Sequence, residues 1–354
     1  MPHSAVPAHL AEPSTRRLDL RRMTWDDLDR IHAWESDPTS FTHAPQARHT
    51  SIEQTRDLMQ RWIGSWEQDG LSYWIAERRD TGLPVGFGGI RATRHGFNLA
   101  YRLDEAHRGH GYAAEIARTA TALATEWCPG REVYAMIRPV NTASLRTAER
   151  AGLWLTDERP EQPPPDGAEP ALIYLLPRML AGSDDVVPEA PVYAEALDLW
   201  CAVNEAGGSV GFEGAAPRDD VAVALDEHLV ACASGTAVMG RLVHPQTGAL
   251  LGLAFWTVFS NSKVAHIGVL KRVMVDPRHR GRNLGSVLMG GMHAIARDHG
   301  VEVARLNYRG GTGVGAFYET CGYREIGRLP RGLRFTFGDV DDVDMARRLD
   351  GHPL

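Results

Sequence analysis

The chain has 354 residues, 43% apolar and 23% charged, with a formal charge of −7, which is ordinary globular composition with room for two cores. An acidic balance without a basic run longer than a few residues excludes broad nucleic-acid binding, and no apolar run approaches the roughly 20 residues of a membrane span, so neither nucleic acid nor membrane is expected as a partner. Cys128, Cys201, Cys232 and Cys321 are the only cysteines and form no C-x-x-C pair; this argues against a zinc site or a disulfide framework, so no metal is expected, and it suits a reducing cytoplasm.

Met1 to Arg17 mixes Pro, His and charge without an apolar stretch and reads as a disordered leader, placed at 1–15, not a signal peptide. Leu18 to Arg22 is a strand. Thr24 then opens a helix, an N-cap hydroxyl before Asp26 and Asp27, with Leu28, Ile31 and Trp34 at helical spacing. A second helix starts at Ser51, where S-x-x-Q to Gln54 is a capping box, and runs through Leu58, Met59, Trp62 and Trp66 to a stop at Gly70. That stripe reads as core, with a substrate-pocket role for part of it as the alternative. Ser72 to Arg78 and Leu83 to Arg91 form a hairpin about Asp80-Thr81-Gly82, and Phe97 to Leu103 is a third strand. Tyr112 to Trp127 is a helix, Glu132 to Ile137 a strand, and Asn141 to Ala151 a short helix closed by Gly152. A proline-rich loop, Pro160 to Pro170, precedes a strand at Ala171 to Leu176.

Gly, Ser, Asp and Pro mark 181–191 as a linker, which puts the domains at 16–180 and 192–354. The pattern then begins again. Helices are predicted at Tyr193 to Ala206 and Asp219 to Ala231, strands at Thr236 to His244, Leu250 to Phe259 and Ile267 to Val275, and a helix ends near His299. A strand at Val303 to Tyr308, a short helix at Val314 to Thr320, and strands at Tyr323 to Leu329 and Val343 to Leu349 follow. Arg328, Arg331 and Arg334 fall in what reads as an exposed loop between the last two strands, with acidic-substrate binding as the alternative.

His107-Arg108-Gly109-His110-Gly111-Tyr112-Ala113 sits where strand becomes helix. The unpaired N–H groups and positive dipole end of a helix start, with Arg108 alongside, suit a polyphosphate; a plain tight turn is the other reading. His279-Arg280-Gly281-Arg282-Asn283-Leu284-Gly285 repeats the arrangement. Arg280 follows Arg108 by 172 positions and Gly322 follows Gly152 by 170, so the unit that is duplicated is a whole domain. Asn is the non-glycine residue that best tolerates positive φ, so Asn283 can replace the second glycine of the turn.

Each half, with helices first, then a meander, then strand, R-G-x-G/N-x-A/G, helix, strand, helix and strand, resembles the GNAT superfamily of acyl-CoA-dependent N-acyltransferases. Arg108, Gly111 and Ala113 fill its Q/R-x-x-G-x-G/A signature, as do Arg280, Asn283 and Gly285 with Asn for Gly. The first half resembles the branch that acetylates protein N-termini and small amines, through Asn141-Thr142-Ala143-Ser144 and Ala148-Glu149-Arg150-Ala151-Gly152. The second resembles the general small-molecule branch, through Ala316-Phe317-Tyr318-Glu319-Thr320-Cys321-Gly322-Tyr323. The resemblance implies an α/β fold of α+β type: two tandem domains, each a mixed, mostly antiparallel twisted sheet flanked by helices.

It also implies acetyl-CoA, or another acyl-CoA, as cofactor and a small-molecule amine as partner. The expected cofactor-binding residues are Leu103, Arg108, Gly109, His110, Gly111, Tyr112, Ala113, Asn141 and Ser144 in the first half. In the second they are Val273, Val275, Arg280, Gly281, Arg282, Asn283, Leu284 and Gly285. Aligning Gly152 with Gly322 puts Ala148 opposite Tyr318, so this helix position has a phenol in the second half alone. By the resemblance Tyr318 is the acid for the departing thiolate, while a backbone N–H within Arg272 to Val275 polarises the thioester carbonyl. The base is expected at His266, with His95 as its rough counterpart in the first half, or is a water. The C-terminal half is therefore expected to catalyse and the N-terminal half to hold CoA; the reverse assignment, and a non-catalytic acyl-CoA sensor, are the alternatives.

Overall fold

The computed structural model describes residues 7, 11–160, 167 and 169–354 and divides into two compact units, Met1–Pro177 and Arg178–Leu354. Most of the expected leader and most of the Pro160 to Pro170 loop lie outside the described residues.

The first unit opens with strand β1 (Leu18–Arg22) and a single 3-10 turn, Trp25–Asp27, that runs into helix α1 (Leu28–Ser36). Thr24 and Asp27 close a capping box, and Asp27 also takes a two-pronged ion pair from Arg21 at 2.7 and 2.8 Å, which ties the helix entry to β1. Helix α2 (Ile52–Asp69) begins at the Ser51–Gln54 capping box and stops at Gly70, which is left-handed at φ 70°. Strands β2 (Tyr73–Arg78), β3 (Pro84–Thr93) and β4 (Gly96–Leu103) form a meander. Helix α3 (Tyr112–Trp127), strand β5 (Val133–Ile137), helix α4 (Thr142–Arg150) and strands β6 (Trp154–Leu155) and β7 (Leu172–Leu175) complete it. The sheet order is β1-β2-β3-β4-β5-β7-β6, antiparallel except between β4 and β5. Met59 and Trp62 are buried with Ile31, Trp34, Tyr73 and Phe87, so that part of the aromatic stripe is core.

The second unit repeats this. It contains β8 (Arg178–Ala181), α5 (Pro191–Glu205), α6 (Arg218–Ala233), β9 (Ala237–Val243), β10 (Leu250–Val258) and β11 (Ile267–Val275). Then come α7 (Leu284–Asp298), β12 (Val303–Arg309), α8 (Val314–Thr320), β13 (Arg324–Phe335) and β14 (Gly338–Arg348). Its order, β8-β9-β10-β11-β12-β14-β13, is that of the first sheet strand for strand, again with one parallel pair, β11 with β12.

Three expectations are corrected. Residues 178–180 are expected in the first domain and Ala181 in the linker, but Arg178–Ala181 pairs with β9 and is the edge strand of the second sheet; four residues beside a linker-like stretch carry too little alternation to be seen. Residues 11–15 belong to the fold: Ala11 is buried and its carbonyl accepts from the Trp74 indole at 2.6 Å, and Thr15 donates to Glu115 at 2.5 Å. Arg328 to Arg334 is no loop but the middle of β13, where the register shifts between Leu329 and Leu333 and Arg331 sits at φ 56°. Its arginines are neutralised by Glu325, Asp341 and Asp339, which removes the case for an acidic substrate there.

Candidate functional site: the gap beside the parallel pair and its glycine turn

In both sheets the parallel pair comes apart. β4 and β5 pair only at Phe97 with Val133 and Asn98 with Tyr134, although β4 continues to Leu103; β11 and β12 pair from Ile267 to Val269, although β11 continues to Val275. The later lengths of β4 and β11, which carry Leu103, Val273 and Val275, therefore border a gap where main-chain groups are not used by the parallel ladder.

Each gap ends in the same turn. Asp104 and Asp276 cap a 3-10 turn by accepting from the amides of Ala106 and Arg278, at 3.0 and 2.9 Å, and each has a histidine three residues on, His107 at 3.7 Å and His279 at 3.9 Å. Gly109 and Gly111 follow at φ 80° and 82°; Gly281 and Asn283 follow at 83° and 62°. Gly111 and Asn283 share ψ 7°, so asparagine does hold the glycine conformation, and α3 and α7 start one residue later in each unit. The amides from Gly109 to Ala114 have no acceptor among the described residues, and a Cβ at Gly109 would meet nothing within 4 Å. Such a nest of N–H groups at a helix start fits a pyrophosphate.

The arginines of the motif have other work. Arg108 donates to the Leu103 carbonyl at 3.3 Å, Thr39 at 3.1 Å, Ser40 at 2.7 Å and Asp37 at 3.2 Å, just past α1. Arg280 donates to the Ala206 carbonyl at 3.1 Å, at the C-cap of α5. Both lash the glycine turn to the end of their unit's first helix. His110 bonds back to the Arg108 carbonyl at 2.9 Å and stacks on Tyr112, and Arg17 lies over the other part of that cluster, 4.7 Å from the Tyr112 ring and 2.8 Å from the His110 carbonyl. Asn141 caps α4 by accepting from the Ser144 amide at 3.1 Å. Gly285 touches the ring of Phe317, where a Cβ would be 3.1 Å away, so the third position of the second motif packs α7 against α8.

The strand bordering the gap differs between the units. β4 pairs with β3 without interruption from Thr93–Gly96 to Gly86–Leu103. β11 bulges: Leu253 and Phe255 oppose Met274 and Lys271, which leaves Arg272 and Val273 opposite Ala254, with Arg272 at φ 56°. A bulge releases a main-chain group from the ladder and re-aims its side chain, here inside the stretch expected to polarise a carbonyl.

Tyr318 and Ala148 are structurally equivalent. The amides of Cys321, Gly322 and Tyr323 return to Tyr318 and Glu319 as those of Ala151, Gly152 and Leu153 return to Ala148 and Glu149. Tyr318 is half-buried between Tyr308 of β12 and Tyr323, its hydroxyl has no partner among the described residues, and burial pushes it up to about 12. Ala148 is buried. The first unit nonetheless has a phenol against the same helix, which the helix alignment alone missed. Tyr101 of β4 donates to the Ser144 carbonyl at 3.1 Å, on the α4 face one turn before Ala148, and burial pushes it up to about 12.

The expected bases are not brought in. His266 is exposed at the start of β11, six residues or about 20 Å of strand from the bulge, and its carbonyl receives the amides of Glu302 and Val303. His95 lies in the β3–β4 turn, against Arg94. A different histidine reaches the bulge: His228 of α6 stacks on Phe255 at 4.5 Å and accepts from Arg272 Nε at 3.4 Å through Nε2. Burial, then the charges of Arg272 and Lys271, pull it down to about 4.

Residues 17–153 match the acetyltransferase (GNAT) domain model, and residues 217–325 match a second acetyltransferase (GNAT) domain model. The chain belongs to the GNAT superfamily. It is similar to YkkB of Bacillus subtilis (strain 168), 33% identical over 151 residues that span 39% of this chain and 83% of YkkB. It is also similar to the N-acetyltransferase p20 of Bacillus licheniformis, 26% identical over 136 residues that span 37% of this chain and 76% of p20. Among solved structures, an acetyltransferase from Agrobacterium tumefaciens is 26% identical, with a TM-score of 0.40, covering 46% of this chain and 92% of its own. This tandem GNAT protein is an acyltransferase that uses an acyl-CoA donor. No helix among the described residues is long and apolar enough to cross a membrane.

Proposed function

We propose that the second unit moves an acetyl group from acetyl-CoA to the amine of a small molecule by direct attack, and that the first unit holds CoA at Gly109 to Ala113. The observation that carries this reading is the bulge at Arg272–Val273: β11 has it and β4 does not, and α8, which follows the strand paired with β11, carries Tyr318. Bound acetyl-CoA supplies an acyl carbon whose bond to nitrogen forms as its bond to sulfur breaks. The amide freed by the bulge is a fixed dipole for the carbonyl oxygen. Tyr318 holds a proton for the sulfur; raised to about 12, its phenol stays protonated at neutral pH and is free to donate, since no protein acceptor claims it among the described residues. The proton lost from nitrogen leaves through water, consistent with His266 and His95 standing at the far ends of their strands.

Tyr318→Phe is expected to lower kcat by roughly 10²- to 10⁴-fold, the usual contribution of a general acid, with little change in the KM for acetyl-CoA. Unchanged turnover across an amine panel sinks the assignment. One observation favours the reverse reading, in which the first unit reacts with a peptide or small amine: Tyr101 of β4 sets its own phenol against α4. Under that reading Tyr101→Phe carries the loss and Tyr318→Phe is silent.

A further inference from the structure

Resting on the reading that the second unit catalyses, we infer that Arg272 selects the acceptor: the amine it acetylates carries a carboxylate, which the Arg272 guanidinium clamps. Arg272 is half-buried, and its aromatic and histidine neighbours are Trp200 of α5, 5.5 Å from ring centroid to guanidinium carbon, and His228 of α6. Gly211 closes in as well, so near that a Cβ there would lie 2.6 Å from Nη1. Nε is engaged by His228, but Nη1 and Nη2 have no hydrogen-bond acceptor and the side chain has no ion-pair partner among the described residues; burial lowers its affinity for its proton, and Glu227 only partly offsets that from a distance. Nor are these two nitrogens sealed from solvent, as the buried unpartnered Nε of Arg91 or Arg241 is. The fork of four N–H donors therefore keeps some contact with solvent.

A desolvated guanidinium without a counter-ion is costly, and the left-handed backbone beneath it adds about 1–2 kcal/mol. Such costs gather where a ligand repays them. The first unit shows what a satisfied arginine on the equivalent strand looks like, one ladder position nearer the glycine turn. Arg102 of β4 is paired with the buried Glu35 of α1 at 2.6 Å and lies 3.9 Å over the Phe41 ring. Arg272 has no such ion pair among the described residues, and the bulge turns it toward Trp200 of α5 and His228 of α6 from the same two residues whose amides border the gap. A planar, two-pronged donor matches a carboxylate better than a point charge would. His228, held neutral by its surroundings, fixes the fork by taking Nε–H and adds no competing charge.

The test uses the full chain saturated with acetyl-CoA and pairs of primary amines, each amino acid (glycine, β-alanine, γ-aminobutyrate, and larger α-amino acids) against its carboxamide. Release of the CoA thiol gives kcat/KM, and calorimetry with CoA in place of acetyl-CoA gives Kd independently of turnover. The acids are expected to be preferred by roughly 10- to 100-fold, the value of a charge-assisted pair of hydrogen bonds. Arg272→Gln should abolish the preference by weakening the acids alone, and Arg272→Gly should do the same while keeping the bulge, because glycine accepts φ 56° without strain. Arg272→Lys should restore part of it. Equal affinity for acids and amides, no measurable binding of any acid at millimolar concentration, or a preference that survives Arg272→Gly overturns the inference. Tyr318→Phe separates the two levels: full turnover there removes the catalytic assignment, while the calorimetric comparison still decides whether Arg272 binds the anion.

Discussion

At His228 the chemistry of the bulge becomes measurable in stability. Its ring is stacked on Phe255, faces Trp200 at 5.8 Å and accepts from Arg272, so protonation would place a cation against a cation inside an apolar cluster. Its folded value of about 4 lies below the ordinary 6.5 of an unfolded histidine. Between those values the unfolded chain binds the extra proton, so the stability this residue permits is complete above pH 6.5 and is lost as pH falls toward 4. The loss amounts to about 2–3 kcal/mol across the window. His228→Gln keeps an acceptor for Arg272 and has nothing to titrate. Its unfolding midpoint, compared with that of the wild type from pH 7 to pH 4, should hold up better on the acid side; parallel curves would show that His228 does not titrate against the fold.

The turn at the head of α7 is an element-scale device, because under the proposed reading it binds through main-chain groups whose placement depends on the left-handed turn. Asn283 occupies the left-handed position that Gly111 holds before α3. Asn283→Gly should therefore leave CoA affinity and stability unchanged or slightly higher, whereas Asn283→Val should cost about 1–2 kcal/mol and weaken CoA binding at the second site, read by thermal unfolding and calorimetry. Equal behaviour of the two variants would mean that the turn's conformation is not what binds. This turn was legible in the sequence because glycine and asparagine announce positive φ; α2 and α3 were legible because caps and stops bracket their apolar stripes. The bulge was not, since an arginine at φ 56° leaves no trace in composition. Pro330-Arg331-Gly332 misled in the opposite sense, looking like a loop while forming an irregularity inside the long edge strand β13. Tyr101 and His228 escaped because each reaches its place from another layer of the fold, which periodicity along one element does not encode.

For the molecule as a whole, the identical strand order of the two sheets says where each copy begins. β1 precedes α1 and α2 at the edge of the first sheet, and β8 precedes α5 and α6 at the edge of the second, so the second copy starts at Arg178 and not after the proline-containing stretch that ends at Pro191. β8 contributes more than four ladder residues. Met179 enters a notch that exists because residue 291 of α7 is glycine; a Cβ there would lie 2.2 Å from Met179 Cγ. A fragment of residues 178–354 should unfold cooperatively, and one of residues 192–354 should be less stable by at least about 2 kcal/mol, the scale of a methionine lost from apolar contact. The shorter fragment should also associate on standing, because β9 becomes an open edge. Gly291→Ala in the intact chain tests the same contact without truncation and should lower the midpoint by displacing Met179. If the two fragments melt alike and Gly291→Ala is silent, β8 is an ornament of the second unit; if both effects appear, the duplicated module includes its edge strand.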